Sequence, residues 1–171
     1  FIIKDGRAKV YISDDTGKEM VIAILGPGEV VGEIASLDGE VRTASVAALE
    51  PCSVLHIAQN DFKGFLAENH ELAFEIIQVL TRRIRSYAAS VSNLAFKNVY
   101  ERIVTVLEQN SEEQENGTRV MKGAFTHQDF ADMVGSSREM VSRVFSELSK
   151  GEYISTDHRV ITIHKKLPKG W

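Results

Sequence analysis

Residues 126–148 read THQDFADMVGSSREMVSRVFSEL. Thr126 is a helix N-cap residue, and Asp129, three positions on, gives a near capping box. Phe130, Ala131 and Val134 share one helical face, and Gly135 falls where a left-handed residue ends a helix. Ser137 caps a second helix whose apolar set is Val141, Val144, Phe145 and Leu148. Arg138, Glu139, Ser142 and Arg143 lie on the opposite side. The pattern predicts two short helices across a tight turn, a helix-turn-helix with a charged outer face.

Downstream, Gly151 stops the second helix. Residues 153–155 and 160–164 then predict a hairpin turning over 156–159, in the position of a wing, and the basic run at 165–169 reads as a solvated end. Upstream, residues 111–118 form an acidic, polar loop. Asn98 and Glu101 cap a helix over 99–109 that buries Ile103, Val106 and Leu107. The break at 96–98 ends a long helical pattern over 71–96. Within it Leu80, Ile84, Tyr87, Val91 and Leu94 repeat at heptad spacing. Such a stripe can pack on its own domain or on a partner helix. Its narrowness, with Arg82, Arg83 and Arg85 beside it, favours a partner. About 25 residues make a helix of about 37 Å.

The first 60 residues read as short strands. Residues 1–3 stop at Asp5-Gly6, 8–12 and 20–25 flank a turn at 14–17, and Gly26-Pro27-Gly28 turns again. Residues 45–49 and 53–57 are two further strands. Many short strands at close spacing suggest a barrel or double-sheet roll. The chain begins inside this strand pattern, so preceding strands are expected. Asn60 and Asp61 are placed to cap a short helix through Leu66.

The chain has 171 residues, 43% of them apolar, enough for one large or two small cored domains. No apolar run is long enough for a transmembrane helix, and no signal peptide is visible, so no membrane partner is expected. One cysteine, Cys52, excludes an internal disulfide and fits a reducing cytoplasm. The net charge of −4 is unevenly placed. Residues 1–119 hold 12 Lys and Arg against 18 Asp and Glu, and residues 120–171 hold 8 against 6, so the helix-turn-helix lies in the basic part. The five histidines show no metal spacing, and no nucleophile elbow supports a hydrolase. Neither a catalytic nor a metal-binding set is assigned.

A second informative stretch is residues 32–45, GEIASLDGEVRTAS. Gly32 permits close backbone approach. One helical turn from Glu33, with Arg42 nearby, makes an anion site. Thr43 adds a hydroxyl donor, and Glu33 suits a ribose hydroxyl. The plainer reading is a surface turn with an incidental Glu33–Arg42 ion pair.

Residues 32–46 resemble the phosphate-binding cassette of cyclic-nucleotide-binding domains. LAFKNVYERI, residues 94–103, resembles the hinge of the CRP/FNR family, and residues 126–148 closely resemble that family's helix-turn-helix. The three motifs occur in the family's order and spacing. The resemblance implies an α+β fold: a β-roll (jelly-roll) cyclic-nucleotide-binding domain at 1–66, a dimerisation helix at 67–97, and a winged helix-turn-helix domain at 98–171. It implies that about 40 residues of the usual roll precede Phe1. It also implies a cyclic nucleotide effector, cAMP first among them, held by Gly32, Glu33, Ile34, Ala35, Arg42, Thr43, Ala44, Tyr87 and Ala88. Where cAMP-binding members carry a Thr-Ser pair against the adenine, this sequence has Tyr87-Ala88, which leaves the base and even ligand dependence open. Arg138, Glu139 and Arg143 match the residues that read a TGTGA-like half-site. Arg pairs with guanine O6 and N7, and Glu accepts from cytosine N4. Thr126, Gln128, Ser137, Ser142 and Arg159 complete the implied DNA set. Met140 departs from the usual Thr. The resemblance further implies a cytoplasmic homodimer on palindromic double-stranded DNA, with RNA polymerase touching residues 111–119. A ligand-independent regulator and a nucleotide-binding module that does not read DNA remain as alternatives.

Overall fold

The computed structural model describes residues 1–115, 117–121, 123, 125–158 and 160–168. The chain divides into two compact units, Phe1–Ser90 and Val91–Trp171.

In the first unit, β1 (Ile2–Asp5) pairs antiparallel with β5 (Ser53–Leu55), while β2 (Ala8–Ser13) lies between β3 (Glu19–Leu25) and β4 (Ser45–Ala48). The period of two puts Ala8 and Val10 inward, where they join Ile3 and Leu25 in the core. The β2–β3 turn is held by the Asp14 carboxylate, which accepts from the Thr16 and Lys18 N–H groups at 2.9 and 3.0 Å. These sheets carry the short helix α1 (Glu33–Asp38), and α2 (Gln59–Glu68) follows β5. The expected side-chain cap of α2 is corrected. Its N-cap is Ala58, with no side-chain bond, and Asn60 and Asp61 lie inside the helix.

Helix α3 (His70–Phe96) is unbroken and runs across the boundary between the two units. Two stripes separate on it. Ile76 is buried, and Arg83 and Tyr87, seven and eleven residues on, are partly buried beside the sheets. One position round, Ile77, Ile84 and Val91 repeat at seven and are exposed, Ile84 at 67% and Val91 at 65%.

In the second unit, Asn98 and Glu101 form the expected capping box of α4 (Val99–Gln109), with bonds of 2.9 and 2.8 Å. The acidic stretch expected as a loop at 111–118 contains a short strand, β6 (Glu112–Glu113), and a second, β7 (Arg119–Met121), follows it. Arg119 pins this hairpin by donating to the Ser111 hydroxyl and to the Glu108 and Ser111 carbonyls at 2.7–2.9 Å. Helices α5 (His127–Val134) and α6 (Arg138–Lys150) follow, then β8 (Ile154–Asp157) and β9 (Val160–Ile163), and the sheet order is β6-β7-β9-β8. Asp157 pairs with Val160, and His158 after β8 has a φ of 44°. Phe130, Val134, Val141 and Leu148 pack with Ile103, Leu107 and Met121 in the core. The tail is also corrected. Leu167 is buried, and the Pro168 carbonyl accepts from the Tyr100 hydroxyl at 2.9 Å.

Candidate functional sites: a cavity and a helix-turn-helix face

The cavity is built around Gly32, whose φ of 83° suits glycine alone and which caps α1. A Cβ at Gly32 would collide with the Arg42 guanidinium, whose Nη1 donates to the Gly32 carbonyl at 2.7 Å. Glu33 follows, 2% exposed. Its Oε1 is paired with Arg83 of α3, and Arg83 also donates to the Val30 carbonyl. Glu33 Oε2 is buried with no hydrogen-bond partner among the described residues. Burying an ionised carboxylate is costly unless it is paired and fully hydrogen-bonded. Glu33 lines a cavity, and its unmatched carboxylate oxygen leaves an acceptor that a donor arriving there could satisfy.

That cavity is about 410 Å³ and mostly apolar. The structure brings Gly32, Glu33, Ile34, Ala35, Arg42, Thr43, Ala44 and Tyr87 together on its wall, and Ala88 is exposed outside the lining. The plainer reading, an incidental Glu33–Arg42 ion pair, does not hold, because Glu33 pairs with Arg83 and Arg42 donates to the Gly32 carbonyl. Sequence reading left Arg83 beside the helix seam. The signal that could have found it is its spacing: seven residues after Ile76 and four before Tyr87 put it on the same face.

The second site is the α5–α6 pair. Thr126 and Asp129 form the capping box of α5, Gly135 ends it at φ 60°, and Ser137 accepts from the Met140 N–H to start α6. Arg138, Glu139, Met140 and Arg143 are exposed. Arg138 and Arg143 have no hydrogen bond or ion pair to another described residue, so the Glu139–Arg143 pair allowed by i,i+4 spacing is not formed. The Glu139 carboxyl is held below its usual range, first by its own backbone N–H, then by the Ser137 hydroxyl and the nearby Arg138 charge. Besides Ser137, three residues of the implied DNA set have internal partners. Thr126 bonds Asp129, Gln128 Nε2 donates to Asp132 at 2.7 Å, and Ser142 Oγ lies 2.8 Å from His127 Nδ1. Arg159 lies outside the described residues.

Two family models match the chain. Residues 1–69 match the cyclic nucleotide-binding domain model, and residues 101–166 match the Crp-like helix-turn-helix domain model. The cAMP-activated global transcriptional regulator CRP of Pasteurella multocida is 31% identical over 96% of this chain and 79% of its own length. The chain belongs to the CRP/FNR family. The CRP of Salmonella typhimurium is 30% identical with the same coverage. Among solved structures, the c-di-GMP responsive global regulator CLP of Xanthomonas campestris superposes with a TM-score of 0.82 at 23% identity, covering 96% of this chain and 84% of that one, a likeness of fold. As a CRP/FNR member the chain is a DNA-binding transcription regulator with a cyclic-nucleotide-binding domain, not an enzyme. Among the described residues no helix is long and apolar enough to cross a membrane, and no cluster of His, Cys, Asp and Glu could hold a metal ion.

Proposed function

We propose that this CRP/FNR regulator is a cytoplasmic homodimer gated by a cyclic nucleotide, with cAMP the first candidate. The observation that carries the reading is the unmatched, buried Oε2 of Glu33, a residue that lines one cavity together with Arg42 and Tyr87. A ribose hydroxyl donates to Glu33, the cyclic phosphate takes Arg42 and Thr43, and Gly32, Ile34, Ala35 and Ala44 let the backbone approach the sugar and phosphate. The base lies toward Tyr87, whose ring offers a stacking face. Ligand contacts that differ between two states shift the equilibrium between them. In function the chain divides into sensor (1–66), coupling helix (67–97) and reader (98–171).

The dimer forms through α3, along the uncovered stripe containing Ile84 and Val91 with Leu80 and Leu94 beside it, while Tyr87 lines the cavity. In the dimer two copies of α6 enter successive major grooves about 34 Å apart. Arg138, Glu139 and Arg143 read the bases of TGTGA-like palindromic half-sites. Ser137, and Arg159 in the wing, contact phosphates, and residues 111–119 face RNA polymerase.

Calorimetric titration with cAMP and cGMP, followed by binding to a TGTGA-palindrome duplex, tests this. Heat with one nucleotide and a tighter DNA complex in its presence are expected; no heat with either and unchanged DNA affinity would remove the nucleotide-gated reading. A second reading, a different nucleotide effector, is favoured by Tyr87-Ala88 and by the fold shared with CLP, which is itself c-di-GMP responsive. Adding c-di-GMP as a third titrant separates it.

A further inference from the structure

We propose that His127 is a positioning residue for DNA reading, fixing the roll of α6 through the Ser142 hydroxyl. The inference rests on the reading of α6 as the DNA-reading helix.

Helices α5 and α6 share an apolar core through Phe130, Val134, Val141, Phe145 and Leu148. Apolar burial is non-directional. It fixes the distance between two helices far better than the rotation of either about its axis. A hydrogen bond is directional. Among the described residues, His127 Nδ1 with Ser142 Oγ at 2.8 Å is the one side-chain hydrogen bond between α5 and α6.

The imidazole is itself held. Its ring packs on Phe145 at 4.9 Å and 50°, and Phe145 packs on Phe130 at 4.9 Å and 66°. Phe130 is fully buried. An aromatic stack thus runs from the core to His127, and His127 carries its rigidity to Ser142. Ser142 lies one residue before Arg143 and four after Arg138. A roll of α6 that breaks the brace also swings both guanidinium groups, and bidentate pairing with guanine needs those groups in a fixed plane.

The brace changes the role of Ser142. Its position on the outward side suggests a DNA contact, but its hydroxyl is half-buried and bonded to α5. The uncommitted cationic groups of α6 near its start are those of Arg138 and Arg143.

The test uses the full chain, with and without saturating cAMP, a labelled TGTGA-palindrome duplex and a scrambled competitor. The variants are Ser142→Ala, His127→Phe, which keeps a ring on Phe145, their double, His127→Gln, and Arg143→Ala. Ser142→Ala and His127→Phe should each weaken specific binding by roughly 3–10-fold. The double should be no worse than either single, and His127→Gln, whose amide oxygen accepts from Ser142, should recover most of the loss. The salt dependence should keep its slope, because no phosphate contact is removed.

Several results would overturn the proposal. In one, Ser142→Ala weakens binding and His127→Phe does not, which makes Ser142 a direct contact. In others the two losses multiply, the salt slope falls, or thermal stability drops while the folded protein binds unchanged. Arg143→Ala separates the failures: if it leaves sequence preference intact, α6 is not the reader; if it abolishes preference while the brace variants bind as wild type, only the brace is wrong. Should His127→Phe fail to fold, Ser142→Ala and His127→Gln decide the question.

Discussion

Glu33 and Arg83 are fifty residues apart, and their ion pair puts a nearly inaccessible carboxylate against a guanidinium that is itself mostly covered. Such a pair adds little net stability when intact, but removing one member strands the other charge. Arg83→Met is expected to cost about 3 kcal/mol of stability in urea unfolding, and Glu33→Gln with Arg83→Met distinctly less. A single variant as stable as the parent would show that Glu33 finds its stabilisation elsewhere. This pair was illegible in the sequence because nothing local marks it. Glu33 sits in a recognisable motif, whereas Arg83 is one of three arginines in a helix and its role depends on which face turns toward the sheets. Glu139 is the opposite case, legible from its helix position alone. Its depressed pKa means that the carboxylate is protonated at lower pH than an ordinary glutamate. Any contribution it makes to folding is present above its unfolded pKa and is lost only as pH falls through the lower folded value. Discrimination at the base facing Glu139 should therefore persist to lower pH than an unperturbed glutamate would allow. Competition binding over a pH series checks this, and early loss of discrimination would mean that the carboxyl is not held as described.

Elements were legible where their ends are written in adjacent residues. The caps at Asn98, Thr126, Gly135 and Ser137 all appear where the sequence puts them, because capping is chemistry within four residues. Strands β6 and β7 were missed because two and three residues are too few to show an alternation. They exist because β7 pairs with β9, forty residues on, and because Arg119 ties the hairpin to the end of α4. The buried tail was missed for a related reason, since one leucine among lysines gives no periodic signal. Gly135 lends itself to an element-scale test. It holds the left-handed turn at φ 60°, and a Cβ there would stand 3.3 Å from Leu94 Cδ2. Gly135→Ala should destabilise the second unit by about 1–2 kcal/mol from the backbone alone. Calorimetry that resolves the two units checks this; equal melting of variant and parent would mean that the turn relaxes without cost.

For the molecule as a whole, the fold class and the order of its parts were readable because three local motifs fall at fixed spacing. The separation of α3 into a covered and an uncovered stripe was not, since one heptad pattern serves both. The uncovered stripe carries the proposed dimer. Ile84→Glu with Val91→Glu should give a monomer by sedimentation that still releases heat with its nucleotide and binds the palindrome at least tenfold more weakly. A dimer that survives both changes would place the contact elsewhere. The continuity of α3 across the unit boundary has a further consequence, concerning length and not composition. Between Ile84 and Val91 the helix carries phase as well as connection. One inserted residue turns everything beyond it by about 100°, whereas seven inserted residues leave it turned by only about 20°. Chain-length variation in this segment should therefore be tolerated in whole heptads and rejected in single residues, even where every inserted side chain is a good helix former.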